Sequence, residues 1–229
     1  MTDSSLSIII PALGAAPGLP ATLRALEEGS GLTREVLVVG GAADEPFAQR
    51  LAGDRVRLLA AGAPGRGRQL AAGAEAAKGP WLLFLHADTA LARGWSQAVG
   101  RFINENGSDR RAAYFRLVLD DDSAQARRVE QLANWRCRRL SLPYGDQGLL
   151  IHRSLYEDVG GYRAYPLMED VDLVRRLGAK RLIAFDGAAV TSAERYRRDG
   201  WWARPARNLC LLSLYFLGLP PAWLRRLYG

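Results

Sequence analysis

"WLLFLHADTAL", residues 81–91, is the stretch on which the reading of the chain turns. Four apolar residues, Leu82 to Leu85, run into His86, Asp88 and Thr89 before an apolar pattern resumes. A short unbroken apolar run of this kind suits a strand covered on both faces, as in a parallel sheet. In an extended chain, residues two apart point the same way, so His86 and Asp88 are expected to project together from the strand's carboxyl end. In open α/β sheets that end is where ligands bind. The plainer alternative is a polar strand exit in which Asp88 caps the next helix, and the rest of the chain must decide.

Working outward, the first half alternates strand and helix signals. Apolar strands are expected at "SLSIIIPAL" (5–13), "EVLVVGG" (35–41) and "RVRLLAA" (55–61), besides "WLLFLHA" (81–87). Helices are expected at "LPATLRALEEG" (19–29), "GRGRQLAAGAEAAKG" (65–79) and "GWSQAVGRFI" (94–103). Val, Ile and Leu runs separated by helices imply βαβ units and a mostly parallel sheet flanked by helices, an α/β fold. In the second half, "AAYFRLVL" (112–119) reads as a strand, and an acidic turn (120–125) leads to a basic helix ending near Leu140. "YGDQGLLIHRSLYEDVGGY" (144–162) reads as a loop, a short strand and a helix. "MEDVDLVRRLG" (168–178) reads as a helix with its carboxylates in the first turn. A domain over 1–200 followed by a helical tail over 201–229 is the expected organisation.

The 229 residues, 48% of them hydrophobic, are enough for one sizeable core. No apolar run reaches the ~18 residues that cross a bilayer, and "MTDSSLSIII" lacks the basic start of a signal peptide. Cys137 and Cys210 are too few for a disulfide framework, so the reducing cytoplasm is the expected setting. His86 and His152 are the only histidines, which excludes a Cys/His metal cluster and leaves an oxygen-rich site, with one imidazole as an optional addition. His152 alternates with apolar neighbours and reads as structural. The net charge of +7 points to a polyanionic partner, either nucleotide phosphates, acidic lipid or nucleic acid. Nearly all of the positive charge is arginine, which suits bidentate phosphate contacts, although a GC-rich gene gives the same bias. Basic residues are interspersed with acidic ones and no aromatic–basic strand pattern occurs, so nucleic acid is not expected.

"GRGRQ" (65–69) opens a helix after a glycine-rich turn. Exposed N–H groups and the helix dipole make such a start an anion site. Arg66 and Arg68 would add bidentate donors, unless the turn is simply solvated.

In this order and at these spacings, the segments "IIPAL", "VLVV", "GRGRQLAAGAEAAKG", "LLFLHADT", "GGY" near 160 and "EDVDL" (169–173) resemble a family 2 glycosyltransferase of the GT-A, Rossmann-like fold. "HADT" and "PYGDQG" are most similar to a small bacterial subgroup described as associated with radical-SAM or selenium-related genes. The resemblance implies transfer of a sugar from a nucleotide-diphosphate donor, with UDP-sugars the first expectation, to an acceptor hydroxyl with inversion. It also implies a divalent cation, Mn²⁺ or Mg²⁺, held where the family carries Asp-x-Asp. Here the second carboxylate is Asp88 and the first position is His86, which would ligate the metal, touch the ribose or fill space. The family's base falls on Asp170, with Glu169 positioning the acceptor or holding the loop; both also suit a helix N-terminus. Pro11 and Ala12, at the end of the first strand, become donor-side candidates. Tyr144, Gly145, Asp146 and Gln147 lie where the family places sugar and acceptor, or else form a simple turn. Arg195 and Arg198 lie where relatives close a segment over the diphosphate, or else are solvated charges of the tail.

Two departures from the family pattern concern donor recognition. Gly14, Ala15 and Gly40 stand where the resemblance expects polar groups for the base and ribose. A different nucleotide, recognition by other groups, or an inactivated domain serving as a membrane-surface or partner-binding module would each explain this. A nucleotidyltransferase is the further enzymatic alternative, but "GAAPGLP" (14–20) lacks the basic residues its loop needs.

The tail contains "LCLLSLYFLGL" (209–219), eleven apolar-rich residues flanked by Arg204 and Arg207 and by Trp223, Arg225 and Arg226. This suits a helix lying at an anionic membrane surface, a helix covering the domain's own sheet, or one face of each. The first of these would place the protein peripherally on the inner face of the membrane, where it would serve a lipid-linked or membrane-embedded acceptor.

Overall fold

The computed structural model describes residues 4–12, 16–40, 55–62 and 65–228. Strands β1 (Leu6–Pro11), β2 (Thr33–Gly40), β3 (Val56–Ala60) and β4 (Trp81–Phe84) form a parallel half-sheet in the order β3-β2-β1-β4. The sheet continues through β7 (Leu149–His152), β6 (Ala112–Leu119), β8 (Leu182–Thr191) and β5 (Thr89–Leu91). β7 runs antiparallel to both β4 and β6, β6 and β8 are parallel, and β5 pairs antiparallel with the end of β8. The helices are α1 (Leu19–Leu26), α2 (Arg66–Ala76), α3 (Trp95–Ile103), α4 (Ala124–Leu140), α5 (Arg153–Asp158) and α6 (Glu169–Leu177). They are followed by α7 (Glu194–Asp199), α8 (Ala203–Phe216) and α9 (Pro221–Tyr228). The α/β reading with a mostly parallel sheet flanked by helices holds.

The period of two along β1 divides the core. Leu6, Ile8 and Ile10 pack with Trp95, Val99 and Phe102 on one face, while Ile9 packs with Leu70, Ala74 and Leu173 on the other. Leu6 and the three isoleucines have no accessible surface. Each stabilises the fold by ~1.5–3 kcal/mol relative to exposure. α1 starts with proline inside its first turn, where the missing N–H has no intrahelical role.

Three expectations need correction. The strand expected over 81–87 stops at Phe84, because the chain turns at Ala87 and Asp88. β8 and the three-residue β5 were not anticipated, since "LIAFDGAAVT" is rich in small residues that carry little strand preference. Among the described residues the tail meets the sheet at Leu182, the first residue of β8, rather than across a sheet face. α8 and α9 instead pack Leu211, Leu212 and Leu224 against Leu142, Met168, Val171 and Val174, at the end of α4 and on α6.

Candidate active site

The carboxyl end of β4 meets the start of α6 at a small cavity. Leu70, Phe84, Leu85, His86, Gly145, Leu149, Tyr162, Glu169 and Asp170 line it. His86 and Asp88 do converge, with Nδ1 and Oδ1 4.0 Å apart, but across a turn rather than along a strand. The Thr89 N–H donates to the His86 carbonyl at 3.3 Å. Thr89 and Thr191 share a 2.8 Å hydroxyl hydrogen bond, and the Ser192 N–H donates to the Asp88 carbonyl, so β8 clamps the turn from behind. Thr191 also donates to the Asp146 carbonyl at 3.1 Å, which ties the turn to the 144–148 loop.

Two glycines let other backbone reach this turn. A Cβ on Gly18 would lie 2.8 Å from the Asp88 Cα, so the start of α1 sits directly on the turn. A Cβ on Gly145 would lie 2.5 Å from His86 Nε2. The imidazole is therefore held against bare backbone.

Glu169 and Asp170 open α6, whose preceding residue, Met168, adopts a left-handed conformation at φ 64°. That conformation is costly for a side chain with a Cβ, and it aims the first turn of the helix into the cavity. Both oxygens of Asp170 accept backbone hydrogen bonds, Oδ1 from Val171 N–H and Oδ2 from Gly145 N–H, each at 2.8 Å. Arg66, in the first turn of α2, donates from Nε to Glu169 and places Nη2 3.7 Å from Asp170. Glu169 Oε2 is buried with no partner among the described residues. Burial, with Asp170 adding to it, raises the Glu169 carboxyl above its usual range although Arg66 opposes the shift. Burial would lower the Arg66 guanidinium, yet Glu169 and Asp170 outweigh it and hold Arg66 firmly charged. For His86, burial and then the nearby Arg66 and Arg195 cations push the imidazole well below its ordinary value. It is neutral near pH 7 and keeps a lone pair.

Asp146 stands between these groups. Its Oδ1 is buried without a partner among the described residues, and burial, with Asp170 and Asp88 nearby, raises its carboxyl against the pull of Arg136. The Arg136 guanidinium stacks on Tyr144, 3.4 Å from the ring centre. Burial, with Asp170 adding to it, takes the Tyr144 phenol up to about 12.

The remaining candidates divide. Arg195, in α7, reaches Asp88 Oδ2 at 3.3 Å. Arg198, one turn on, points away and pairs with Asp199 at 2.8 Å, so it does not join the group. Arg68 is exposed on α2, away from the carboxylates that Arg66 meets. Gln147 is fully buried and acts within the fold. Its Oε1 accepts from the Cys137 thiol and Tyr144 N–H, and its Nε2 donates to the Phe115 carbonyl. That corrects its expected role at a sugar hydroxyl. Pro11 and Ala12 close β1; the Ala12 N–H donates to Val39 and its carbonyl accepts from Gln69. They can frame a ligand by shape, but those main-chain groups are engaged. Gln69, which the sequence reading did not single out, donates to both Ala12 and Val39 carbonyls at 2.8 and 2.9 Å and pins the ends of β1 and β2 together. Gly40 closes β2 half-buried, without a side chain to read a nucleotide. Gly14 and Ala15 lie outside the described residues.

Among the described residues no three His, Cys, Asp or Glu side chains converge to cage a cation. Asp88 and the neutral His86 supply one carboxylate and one imidazole. Such a pair fits a hard divalent cation whose other positions are filled by phosphate oxygens and water.

Residues 7–165, more than half of the chain, match the family described as Glycosyl transferase family 2, and the chain belongs to that family. The match ends just before Glu169 and Asp170. Solved structures share the fold at low identity. A mannosyltransferase of Pyrobaculum calidifontis, PcManGT, in complex with GDP-Man and Mn²⁺, superposes with TM-score 0.64 at 17% identity, over 95% of this chain and 66% of that one. Residues 1–349 of TarS from S. aureus give 0.61 at 14% identity, over 96% and 68%. GalNAc-T7, in a crystal structure with UDP, GalNAc and Mn²⁺, gives 0.60 at 12% identity. The likeness covers 83% of this chain but only 44% of that one. A search of curated proteins finds no match to the chain.

Proposed function

We propose that the chain transfers a sugar from a nucleoside-diphosphate donor, in the first instance a UDP-sugar, to an acceptor hydroxyl with inversion. The observation that carries this reading is the placing of Asp170 and Glu169 at the same cavity as His86, one turn from Asp88. Around the 86–88 turn, Arg195 and Arg66 offer guanidinium donors for a diphosphate. The α6 side offers a carboxylate to the attacking hydroxyl.

In the step proposed, the acceptor oxygen bonds to the anomeric carbon as the bond from that carbon to the diphosphate oxygen breaks. The electron pair leaves with the nucleoside diphosphate, and the hydroxyl proton passes to Asp170. Backbone N–H groups of Val171 and Gly145 fix the carboxylate while its remaining lone pairs face the cavity. Glu169 orients Arg66, and through it the guanidinium beside Asp170. Asp88 and His86 would hold the divalent cation that the family implies, which supplies charge neutralisation for the departing diphosphate. A single displacement inverts the anomeric centre. "HADT" and "PYGDQG" support placing the chain in the small bacterial subgroup they resemble, and the two unpaired cysteines, one buried and one exposed, support a reducing, cytoplasmic setting.

Gly40 favours a second reading, an inactive GT-A domain that keeps the fold and binds a partner. One assay separates the two. Incubation with nucleotide sugars and simple hydroxyl acceptors, with the product's anomeric configuration read by NMR, is expected to give an inverted glycoside. A retained configuration overturns the single displacement, and binding without turnover across donors favours the inactive domain.

A further inference from the structure

The two tail helices present an apolar surface that the fold leaves uncovered. Their inward faces are occupied, with Leu211, Leu212 and Leu224 packed on α6 and its neighbours. On the outward face of α8, Trp202, Ala206, Leu209, Ser213 and Phe216 recur at intervals of four and three residues, and all are exposed. No charged residue of α8 interrupts this stripe, and the one cation that reaches it is Arg175 of α6, whose guanidinium lies 4.7 Å from the centre of the Phe216 ring among the described residues. Leu217 follows at 79% exposure, and Trp223 and Leu227 repeat the spacing on α9 at 63% and 59%. Large side chains so far out of the core, recurring on two consecutive helices, mark an interaction surface.

Charge decides what covers it. Residues 201–229 contain four arginines, Arg204, Arg207, Arg225 and Arg226, and no acidic residue. Arg204 and Arg207 reach Asp199, and Arg225 and Arg226 are exposed on α9, between Trp223 and Leu227 in sequence. A second copy of this surface, docked face to face, would bring arginine to arginine with no carboxylate from the segment to answer it. An anionic lipid surface answers both features, with headgroup phosphates for the arginines and the acyl boundary for the apolar stripe. Tryptophans at the start of α8 and in α9 suit the headgroup level. The 14 residues of α8 extend only ~21 Å at 1.5 Å per residue, and no helix among the described residues is long and apolar enough to cross a membrane.

We infer that α8 and α9 dock the protein on an anionic lipid surface, lying in its plane with Leu209, Phe216, Leu217 and Trp223 inserted and Arg225 and Arg226 at the headgroups. This inference stands apart from the transferase reading, because vesicle binding needs neither donor nor turnover. The same helices pack on Met168, directly before Glu169 and Asp170, so docking holds the start of α6 beside the lipid-facing block.

The test is co-sedimentation of the full chain with phosphatidylcholine vesicles, with and without phosphatidylglycerol. Binding is expected to the mixed vesicles, to weaken as salt rises and to be slight on phosphatidylcholine alone. The Arg225→Ala/Arg226→Ala variant is expected to lose at least ~10-fold in vesicle affinity, and Leu209→Glu/Phe216→Glu to lose sedimentation. Both pairs are surface substitutions, and an unchanged melting temperature verifies the fold. In the unmodified chain, brominated lipid should quench tryptophan fluorescence, and Trp223→Phe should reduce the quenching. No sedimentation at low salt overturns the inference, as does binding that neither variant alters. A dimer in analytical ultracentrifugation that Leu209→Glu/Phe216→Glu converts to monomer also overturns it, by assigning the surface to a second copy.

Discussion

Arg195 Nη2 lies 3.3 Å from Asp88 Oδ2, so a guanidinium from α7 faces the turn's carboxylate. Arg195 is more than half exposed and its pair is solvent-screened, so it contributes little to folding. A diphosphate arriving at Asp88 would find that guanidinium already in place. Arg195→Ala is therefore expected to leave the melting temperature nearly unchanged while weakening donor affinity by ~10-fold, measured by titration calorimetry. Unaltered affinity would assign Arg195 to surface charge alone.

Arg66 differs because its partners are buried. Removing it leaves Glu169, 1% exposed, and Asp170 without their cation. With the guanidinium itself about one-third exposed, Arg66→Ala is expected to destabilise the fold by ~1–3 kcal/mol and to weaken donor binding. Arg66→Lys should recover only part of both, since a single ammonium cannot reproduce a planar fork across two carboxylates. Urea unfolding and donor titration together check this. Full recovery by lysine would reduce Arg66 to a point charge.

Asp170→Asn removes the proton acceptor and little volume. Both of its oxygens accept backbone N–H groups, so the amide NH₂ must face one donor, which costs about 1 kcal/mol. The expected signature is a kcat lower by ~10²–10⁴ with donor affinity nearly kept. Stopped-flow or product assays beside calorimetry resolve the two. A variant that turns over normally would remove Asp170 from the chemistry.

Gly145→Ala places a methyl 2.5 Å from His86 Nε2, so either the imidazole or the 144–148 loop must move. Moving the loop also strains the Gly145–Asp170 hydrogen bond. A loss of ~1–3 kcal/mol in stability is expected, with a larger fractional loss of activity than Arg195→Ala gives. Differential scanning calorimetry and a turnover assay check the pair. Unchanged values would mean the ring has room to spare.

The strands β1, β2 and β4 and the helices α2 and α6 were legible because dense apolar runs and helical spacing are local signals. Strand β8 was not, because "LIAFDGAAVT" becomes a strand only through β6 on one side and β5 on the other. The site was legible where residue type carried chemistry, in His86, Asp88, Glu169, Asp170 and Arg66. Gln69 and Thr191 escaped notice because an amide or hydroxyl in an ordinary sequence context gives no sign that two distant backbones converge on it. Gln147 misled for the converse reason. A polar residue in a glycine-rich loop reads as solvent-facing, yet here it is buried and bonds Cys137 in the last turn of α4 and the Phe115 carbonyl within β6.

The most direct measurement is a thermal-shift series of nucleotide sugars, with and without Mn²⁺ or Mg²⁺, on the unmodified chain and on Asp88→Asn. A donor present at about 100 times its Kd stabilises a folded protein by ~2.7 kcal/mol, a shift of several degrees for a chain of this size. The expected result is such a shift with one class of nucleotide sugar, present only with the divalent cation and lost in Asp88→Asn although that variant melts normally by itself. A shift that ignores the cation, or that persists undiminished in Asp88→Asn, would contradict a donor site built on the 86–88 turn.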